Sequence, residues 1–544
     1  MAAERTAGNN PSELPLSPEE LQQLRRFGVP QLVEDMRNGT TSILRATMAT
    51  RKLLSMEREA DGLADKMIAL GLVGDMCAAL DRSDSPRLQF EALWGLTNAA
   101  VLRPDVVVKT GAIPKIVRLL DAQNIPLREQ SLWSLGNIMS KSSAYRNQCL
   151  ALGALQRIRL LLHSVHGMTK EQHEMSARAN DQEDSLRSVM SGVTAIPISR
   201  SNFIRQATWA MSNAIRGGDV DDDALREVSL ALPVLRDIIL REEDPNIVAN
   251  ALWTLADFSD RRPRLVLELG VCDRILELGL HSHGTVQAAS AQAISNMCSG
   301  DPQALRALML VRRGDLILAA HLRSERTELW VTASWTLSFA CSELQTVCDR
   351  LLRYCDLFLE RLMDHRVPSE ARQDCAAIVS ECFLTEEGAE ILKFSDKPVL
   401  ALVRTLQDTG LERDIDLAGK VVQCVINLLR RGGPGLARQF EEHGGMDCLR
   451  RIERSQLQSS YQQSTPLSIA LEHMDSLYSE VDETYDPVFV MSGATSSSSS
   501  MTGAMWSLGE GEPSSPQRQQ SLTRPVQDKH KGVERTTFQA SMKD

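Results

Sequence analysis

At 544 residues the chain is long enough for several ordinary domains or one long repeat array. It is 43% hydrophobic but only 4% aromatic, a Leu- and Ala-rich mix that favours helices over a β-rich fold. A net charge of -11 argues against a nucleic-acid binder and leans towards basic partners, and no apolar run is long enough for a membrane helix.

In chain order, residues 1–29 are a polar leader without the apolar stretch of a secretory signal, and are expected to be disordered. From about Pro30 to Tyr485 the sequence repeats itself. ALWGLTNAA (92–100), SLWSLGNIM (131–139), ATWAMSNAI (207–215), ALWTLADFS (251–259), AQAISNMCS (291–299) and ASWTLSFAC (333–341) align on positions 94, 133, 209, 253, 292 and 335, in steps of 39, 76, 44, 39 and 43. Within each period a short segment leads to Gly and then to an apolar helix. In VVVKTGAIPKIVRLLD (106–121), Gly111 can end one helix and Pro114 suits the first turn of the next. LALGALQRIRLLL (150–162), VLELGVCDRILELG (266–279) and FEEHGGMDCLRRI (440–452) carry the same cue. A three-helix unit of about forty residues points to the armadillo/HEAT class. One unit cannot bury its own apolar face. The expected fold is therefore all-α: an armadillo-repeat right-handed superhelical solenoid of about ten three-helix repeats, with a long concave groove.

The step of 76 is too long for one repeat and holds only one, so it contains an insertion, placed at the polar residues 164–200. Beyond Asp486, a run from Ser496 to Ser500 and the stretch GEGEPSSPQRQQ make residues 486–544 a low-hydrophobicity tail expected to be disordered. Ser515–Pro516 there is a weak phosphosite signal. The 11 Cys stand singly, with no CxxC pair. Cys341, Cys348 and Cys355 recur every seven residues, as do Cys375 and Cys382. That spacing reads as one helix face of buried, reduced thiols in a reducing compartment, with no metal site expected.

No phosphate-binding Gly loop or nucleophile motif is present. His281 and His283 are too little for a metal site, and His163 and His166 lack ligand partners at suitable spacing. Asp221, Asp222 and Asp223 read as the acidic start of a helix rather than a calcium loop. Neither an enzyme nor a cofactor is expected.

The pattern that carries chemistry is a pairing. Trp94 is followed by Asn98, Trp133 by Asn137 and Trp209 by Asn213, and residues four apart share a helix face. A Trp in a repeat helix is most often core. A carboxamide beside it on a buried face is costly unless satisfied, and repeating that cost in three units makes sense if the face lines a groove. Each Asn can donate to a peptide carbonyl and accept from a peptide N–H. Indoles between them would form slots for the aliphatic stems and charges of Lys and Arg.

Here the chain resembles the importin-α family, the adaptors that carry proteins with basic nuclear localisation signals into the nucleus. ATMATRKLLSMEREA (46–60), RLQFEALWGLTNAA (87–100), VVVKTGAIPKIVRLL (106–120), REQSLWSLGNI (128–138), RQATWAMSN (205–213) and EEHGGMDCLRRIE (441–453) are similar to that family's segments in the same order, over roughly residues 30–485. The resemblance implies peptide contacts at Trp94, Asn98, Trp133, Asn137, Trp209 and Asn213, extended by Trp253, with Asn296 and Trp335 kept in later repeats. Its partners would be proteins carrying basic signals, with importin-β and the export receptor as further candidates, and the protein would move between cytoplasm and nucleus.

Departures qualify that expectation. Phe339 stands four residues after Trp335, Ala377 and Glu381 take the next Trp and Asn positions, and Gln292 precedes Asn296. In the family a Gly and a Thr follow the first ladder helix and an Asp follows the second; here those positions hold Leu102, Val107 and Lys141. Asp260 and Asp301 would add negative potential or serve as ordinary loop-end acids. The leader offers only Arg5, Arg25 and Arg26 where family members carry a basic importin-β-binding segment, and LEHMDSLYSEVDETYD (471–486) resembles the family's acidic last repeat. The alternative expectation is an armadillo scaffold that binds other extended segments outside nuclear transport.

Overall fold

The computed structural model describes residues 29–38, 43–56, 62–169, 171–172, 199–217, 219–392, 395–408 and 414–458. The leader up to residue 28, most of the 164–200 insertion, the 471–486 stretch and the Ser-rich tail lie outside the described residues. Those described form helices and turns, with no strand among them. None of their helices is long and apolar enough to cross a membrane. The chain divides into two compact units, one up to Ala304 and the other from Leu305.

The first unit is built from α1 (Val29–Asn38), α2 (Ile43–Met56), α3 (Leu63–Ala69), α4 (Leu72–Ala79), α5 (Pro86–Leu102), α6 (Pro104–Lys109), α7 (Ala112–Leu119) and α8 (Ile125–Lys141). It continues through α9 (Ser143–Ala151), α10 (Ala154–His166), α11 (Arg200–Ala214), α12 (Asp222–Arg241), α13 (Pro245–Ser259), α14 (Pro263–Glu268), α15 (Cys272–Leu278) and α16 (Gly284–Gly300). The triplet α6–α7–α8 shows why the sequence folds this way. Gly111, at φ 76°, makes the left-handed turn between the two short helices that a side chain would strain. Asn124 then accepts from the Leu127 N–H at 3.1 Å, and Pro126 sits in the first turn of α8. The Gly cues at 153, 270 and 444 fall in the same left-handed conformation. One unit departs from the triplet: α12 runs unbroken through Pro233, capped by Asp221, whose carboxylate accepts from the Ala224 N–H at 2.8 Å. The acidic run there is a helix cap.

The long helices α2, α5, α8, α11, α13 and α16 each pack against the next, while α4, α7, α10, α12 and α15 pack on their other side. On α8, Leu132, Leu135 and Ile138 are fully buried. Each contributes about 1.5–3 kcal/mol of burial, and together they fix which face of α8 is left over for Trp133 and Asn137. Arg200, at the start of α11, donates to the carbonyls of Met168 and His166, both at 2.8 Å. This ties the two ends of the long segment between α10 and α11 together.

After α17 (Pro302–Arg306) and a π-helical turn at Ala307–Val311, the second unit contains α18 (Gly314–His321), α19 (Thr327–Glu343), α20 (Gln345–Leu351), α21 (Cys355–Met363) and α22 (Ser369–Phe383). It closes with α23 (Glu386–Leu392), α24 (Lys397–Asp408), α25 (Ile415–Glu442) and α26 (Gly445–Gln458). Here α19 packs on α22 and α22 on α25. Arg313 occupies the left-handed region (φ 59°) just before α18, where other units use glycine. The cysteine expectation needs correction: Cys341, Cys348 and Cys355 do not share a helix but fall on α19, α20 and α21. The reason is local. Leu344 has extended backbone (φ -137°, ψ 96°), which ends α19 and restarts the chain as α20. Cys375 and Cys382 do share α22.

Candidate functional site

The three Trp–Asn pairs lie on α5, α8 and α11, which are consecutive neighbours in the first unit. Trp94 and Asn98 are half-buried on α5. The guanidinium of Arg51, from α2, lies over the Trp94 ring with Cζ 4.0 Å from the centroid. Arg51 in turn donates through Nε to Glu91 at 2.5 Å, and both side chains are almost wholly buried. Asn98 Nδ2 donates to the Arg51 carbonyl at 3.4 Å, and Phe90 meets Trp94 edge-on at 5.9 Å. The chain thus already seats a cation on one of its ladder indoles.

On α8, Trp133 is half-buried and Asn137 is 7% exposed. The Asn137 carboxamide makes no hydrogen bond with any other described residue. It differs in this from Asn213, whose Nδ2 donates to the Trp209 carbonyl at 3.1 Å. The Trp209 ring lies against the α8 backbone at Gly136, where even a Cβ would be far inside van der Waals contact with Cζ3 and Cε3. Trp209 and Trp94 both lean towards the preceding helix. One turn before Trp133, on the same stripe, sits Glu129. Burial pushes its carboxyl up to about 8 against the pull of Arg205.

Past α11 the face changes. Trp253 is buried on α13, and Asp257 takes the position of an Asn four residues on. Its Oδ1 accepts from the Gly217 N–H at 3.4 Å, so it steadies the turn after α11. Asn296 is completely buried. Its Nδ2 donates to the Ala256 carbonyl at 2.8 Å and its Oδ1 accepts from Gln292 Nε2 at 2.9 Å. Both ends of that carboxamide are used within the fold, so it joins α16 to α13 rather than facing a ligand. Asp301 caps α17, accepting from the Gln303 N–H at 2.7 Å and from Arg264 Nε at 2.5 Å. The Arg264 hydrogen bond holds its carboxyl below the ordinary range.

Of the three altered flanking positions, Lys141 is exposed at the end of α8 and has no ion-pair partner among the described residues. Leu102 is half-buried and Val107 completely buried. In the second unit Trp335 is half-buried and stacked on Phe339, with centroids 6.0 Å apart and planes 5° from parallel. Ala377 and Glu381 are half-buried on α22. Sequence reasoning missed Arg51, Glu129 and Asp257. Glu129 and Asp257 were signalled by the same four-residue spacing that revealed the Asn residues; Arg51 lies on a neighbouring helix and had no such signal.

Comparison with known proteins agrees with this architecture. Residues 103–140 match the Armadillo/beta-catenin-like repeat family. An engineered protein of known crystal structure superposes with a TM-score of 0.62 at 17% identity, covering 83% of this chain and 98% of its own. The chain has an all-α armadillo-repeat fold. Among relatives in sequence, importin subunit alpha-1b of Oryza sativa subsp. japonica is 28% identical over 321 residues, 58% of this chain and 53% of the relative. Importin subunit alpha-2 of Arabidopsis thaliana is 33% identical over 244 residues, 44% of this chain and 38% of the relative. The chain is thus similar to importin α subunits over part of its length, at low identity. It spans about half the length, or less, of these relatives.

Proposed function

We propose that the Trp–Asn face of α5, α8 and α11 binds extended peptide segments bearing basic side chains, and that the chain serves as an importin-α-like adaptor for nuclear import. The observation that carries the peptide reading is the pairing at the centre of the face: a largely buried Asn137 carboxamide without a protein partner, beside a half-buried Trp133. Its amide atoms are open to solvent rather than sealed in the core, and a passing peptide backbone offers both an N–H and a C=O to pair with them. Arg51 on Trp94 is an in-chain example of the cation–indole contact that a ligand Lys or Arg would make. The cargo would be proteins carrying basic localisation signals, with importin-β and the importin-α export receptor as transport partners, moving between cytoplasm and nucleus.

Fluorescence anisotropy with a short Lys-rich peptide tests the binding step. Binding is expected at micromolar affinity and should be lost in Trp133→Ala and strongly weakened in Asn137→Ala. A wild-type protein that ignores such peptides at tens of micromolar defeats the reading. The second reading, an armadillo scaffold for other extended segments, is favoured by one observation: the exposed Lys141 stands where a lysine-receiving acid would be needed. Co-purification separates the two. Importin-β or the export receptor among the partners supports the adaptor, and an unrelated partner set supports the scaffold.

A further inference from the structure

Three thiols that the sequence scatters over 42 positions meet in the core of the second unit. Cys341, near the end of α19, Cys348, on α20, and Cys382, near the end of α22, have sulfurs all within 4.8 Å of one another. All three are buried, with side chains 4%, 1% and 0% exposed. No other such group of three potential ligand side chains occurs among the described residues. The thiols face backbone carbonyls: Cys348 Sγ donates to the Cys341 carbonyl at 3.4 Å and Cys382 Sγ to the Cys348 carbonyl at 3.6 Å. These are weak hydrogen bonds, readily exchanged for stronger ones.

We propose that Cys341, Cys348 and Cys382 form a trithiolate site for a thiophilic metal ion, with Cu(I) as its ion. Three ligands about 2.3 Å from a common centre stand roughly 4 Å apart. The sulfurs, all within 4.8 Å of one another, already stand close to that arrangement. Soft thiolate donors select soft ions. Structural Zn²⁺ takes four ligands, and this group offers three. Loading is a ligand exchange without redox: Cu(I) remains Cu(I), each sulfur that binds it gives up its S–H bond, and the proton leaves to solvent. Such an ion would tie α19, α20 and α22 together at one point. The proposal does not depend on the peptide reading of the first unit.

The test uses the full-length, fully reduced chain, loaded anaerobically with Cu(I) buffered by bicinchoninate, with a parallel arm in Zn²⁺. The chain is expected to hold one Cu(I) per molecule against the chelator, with a new sulfur-to-copper absorption in the near ultraviolet, and to hold Zn²⁺ less tightly. Removing a group that merely orients a ligand costs about 10–100-fold in metal affinity. Cys341→Ala, Cys348→Ala and Cys382→Ala should each therefore weaken binding by at least tenfold. Cys375→Ala, a buried thiol elsewhere on α22, should leave it unchanged. Alkylation of the wild-type protein followed by peptide mapping needs no variant: Cu(I) should shield Cys341, Cys348 and Cys382 together while the other thiols react on denaturation as before. Surrender of the copper to the chelator, shielding at other cysteines, an equal loss in Cys375→Ala, or preferential retention of Zn²⁺ each overturns the proposal.

Discussion

The same helical position carries opposite arrangements in the two units. On α8 in the first unit, Trp133 is half-buried beside an Asn137 amide that no protein group engages. On α19 in the second, Trp335 is also half-buried, but the residue four positions later is Phe339, and the two rings stack on each other. A ring stacked on its own helix neighbour has one face already covered, and a Phe offers a peptide backbone neither donor nor acceptor. The difference teaches that a recurring Trp spacing marks the repeat, whereas the group four residues on decides whether that repeat can hold a backbone. Trp253, followed by an Asp257 engaged with Gly217, and Asn296, bound at both ends, show two further ways for a repeat to keep its polar residue and use it internally.

Breaking the first-unit arrangement should produce the largest effects. Trp133→Ala removes an aromatic anchor at the centre of the face. Central aromatic anchors typically carry about 2–4 kcal/mol of binding energy, so a Lys-rich peptide should bind at least about thirtyfold more weakly by anisotropy, while Trp335→Ala in the second unit should change little. Equal losses in both would erase the contrast between the units. Next comes Gly136→Ala. Its Cβ would collide with the Trp209 ring, and overpacking of this kind costs about 1–3 kcal/mol. Thermal unfolding should occur several degrees lower, and peptide affinity should fall because the ring is displaced. An unshifted melting temperature would mean that α8 and α11 are not packed as closely as described.

A pH profile probes the same face without disturbing the fold. Glu129 shares the stripe of Trp133 and Asn137, and burial raises its carboxyl to about 8. Below that pH the free face therefore carries the protonated acid. A bound Lys or Arg nearby favours the carboxylate. Binding must then expel a proton, so affinity should rise with pH towards 8 and level off above it. The gain should be several-fold between pH 6 and 8, reduced from the full-burial limit by the partial exposure of the side chain. Glu129→Gln should flatten the profile. A slope that survives this change would assign the proton to another group.

How far the sequence could be read depended on distance along the chain. The helices, the left-handed turn at Gly111 and the Trp–Asn pairing rest on neighbours three to five residues apart, and periodicity exposes such relations. The close approach of Gly136 to Trp209, the bond from Asn296 to the Ala256 carbonyl and the meeting of Cys341, Cys348 and Cys382 all join different helices. No spacing rule reaches them. The seven-residue recurrence of the cysteines misled for a local reason that is easy to overlook: Leu344 is extended, so counting residues across it does not follow one helix. That break is also what allows the three sulfurs to converge.

The smallest expected effect concerns selectivity. Lys141 ends α8 one turn beyond Asn137, exposed and without an ion-pair partner among the described residues. If the peptide follows the ladder, a basic ligand side chain passes this ammonium and is repelled by it. Because the site is open to water, the interaction is worth no more than about 1 kcal/mol, and salt weakens it further. Lys141→Asp exchanges repulsion for attraction. It should tighten a Lys-rich peptide by roughly three- to tenfold at low ionic strength, with the gain shrinking as salt is added, and should leave a neutral peptide of the same length unaffected. An equal gain for the neutral peptide would trace the effect to the helix end instead. No gain for either would place Lys141 away from the ligand's path and remove the main physical objection to a standard basic signal on this face.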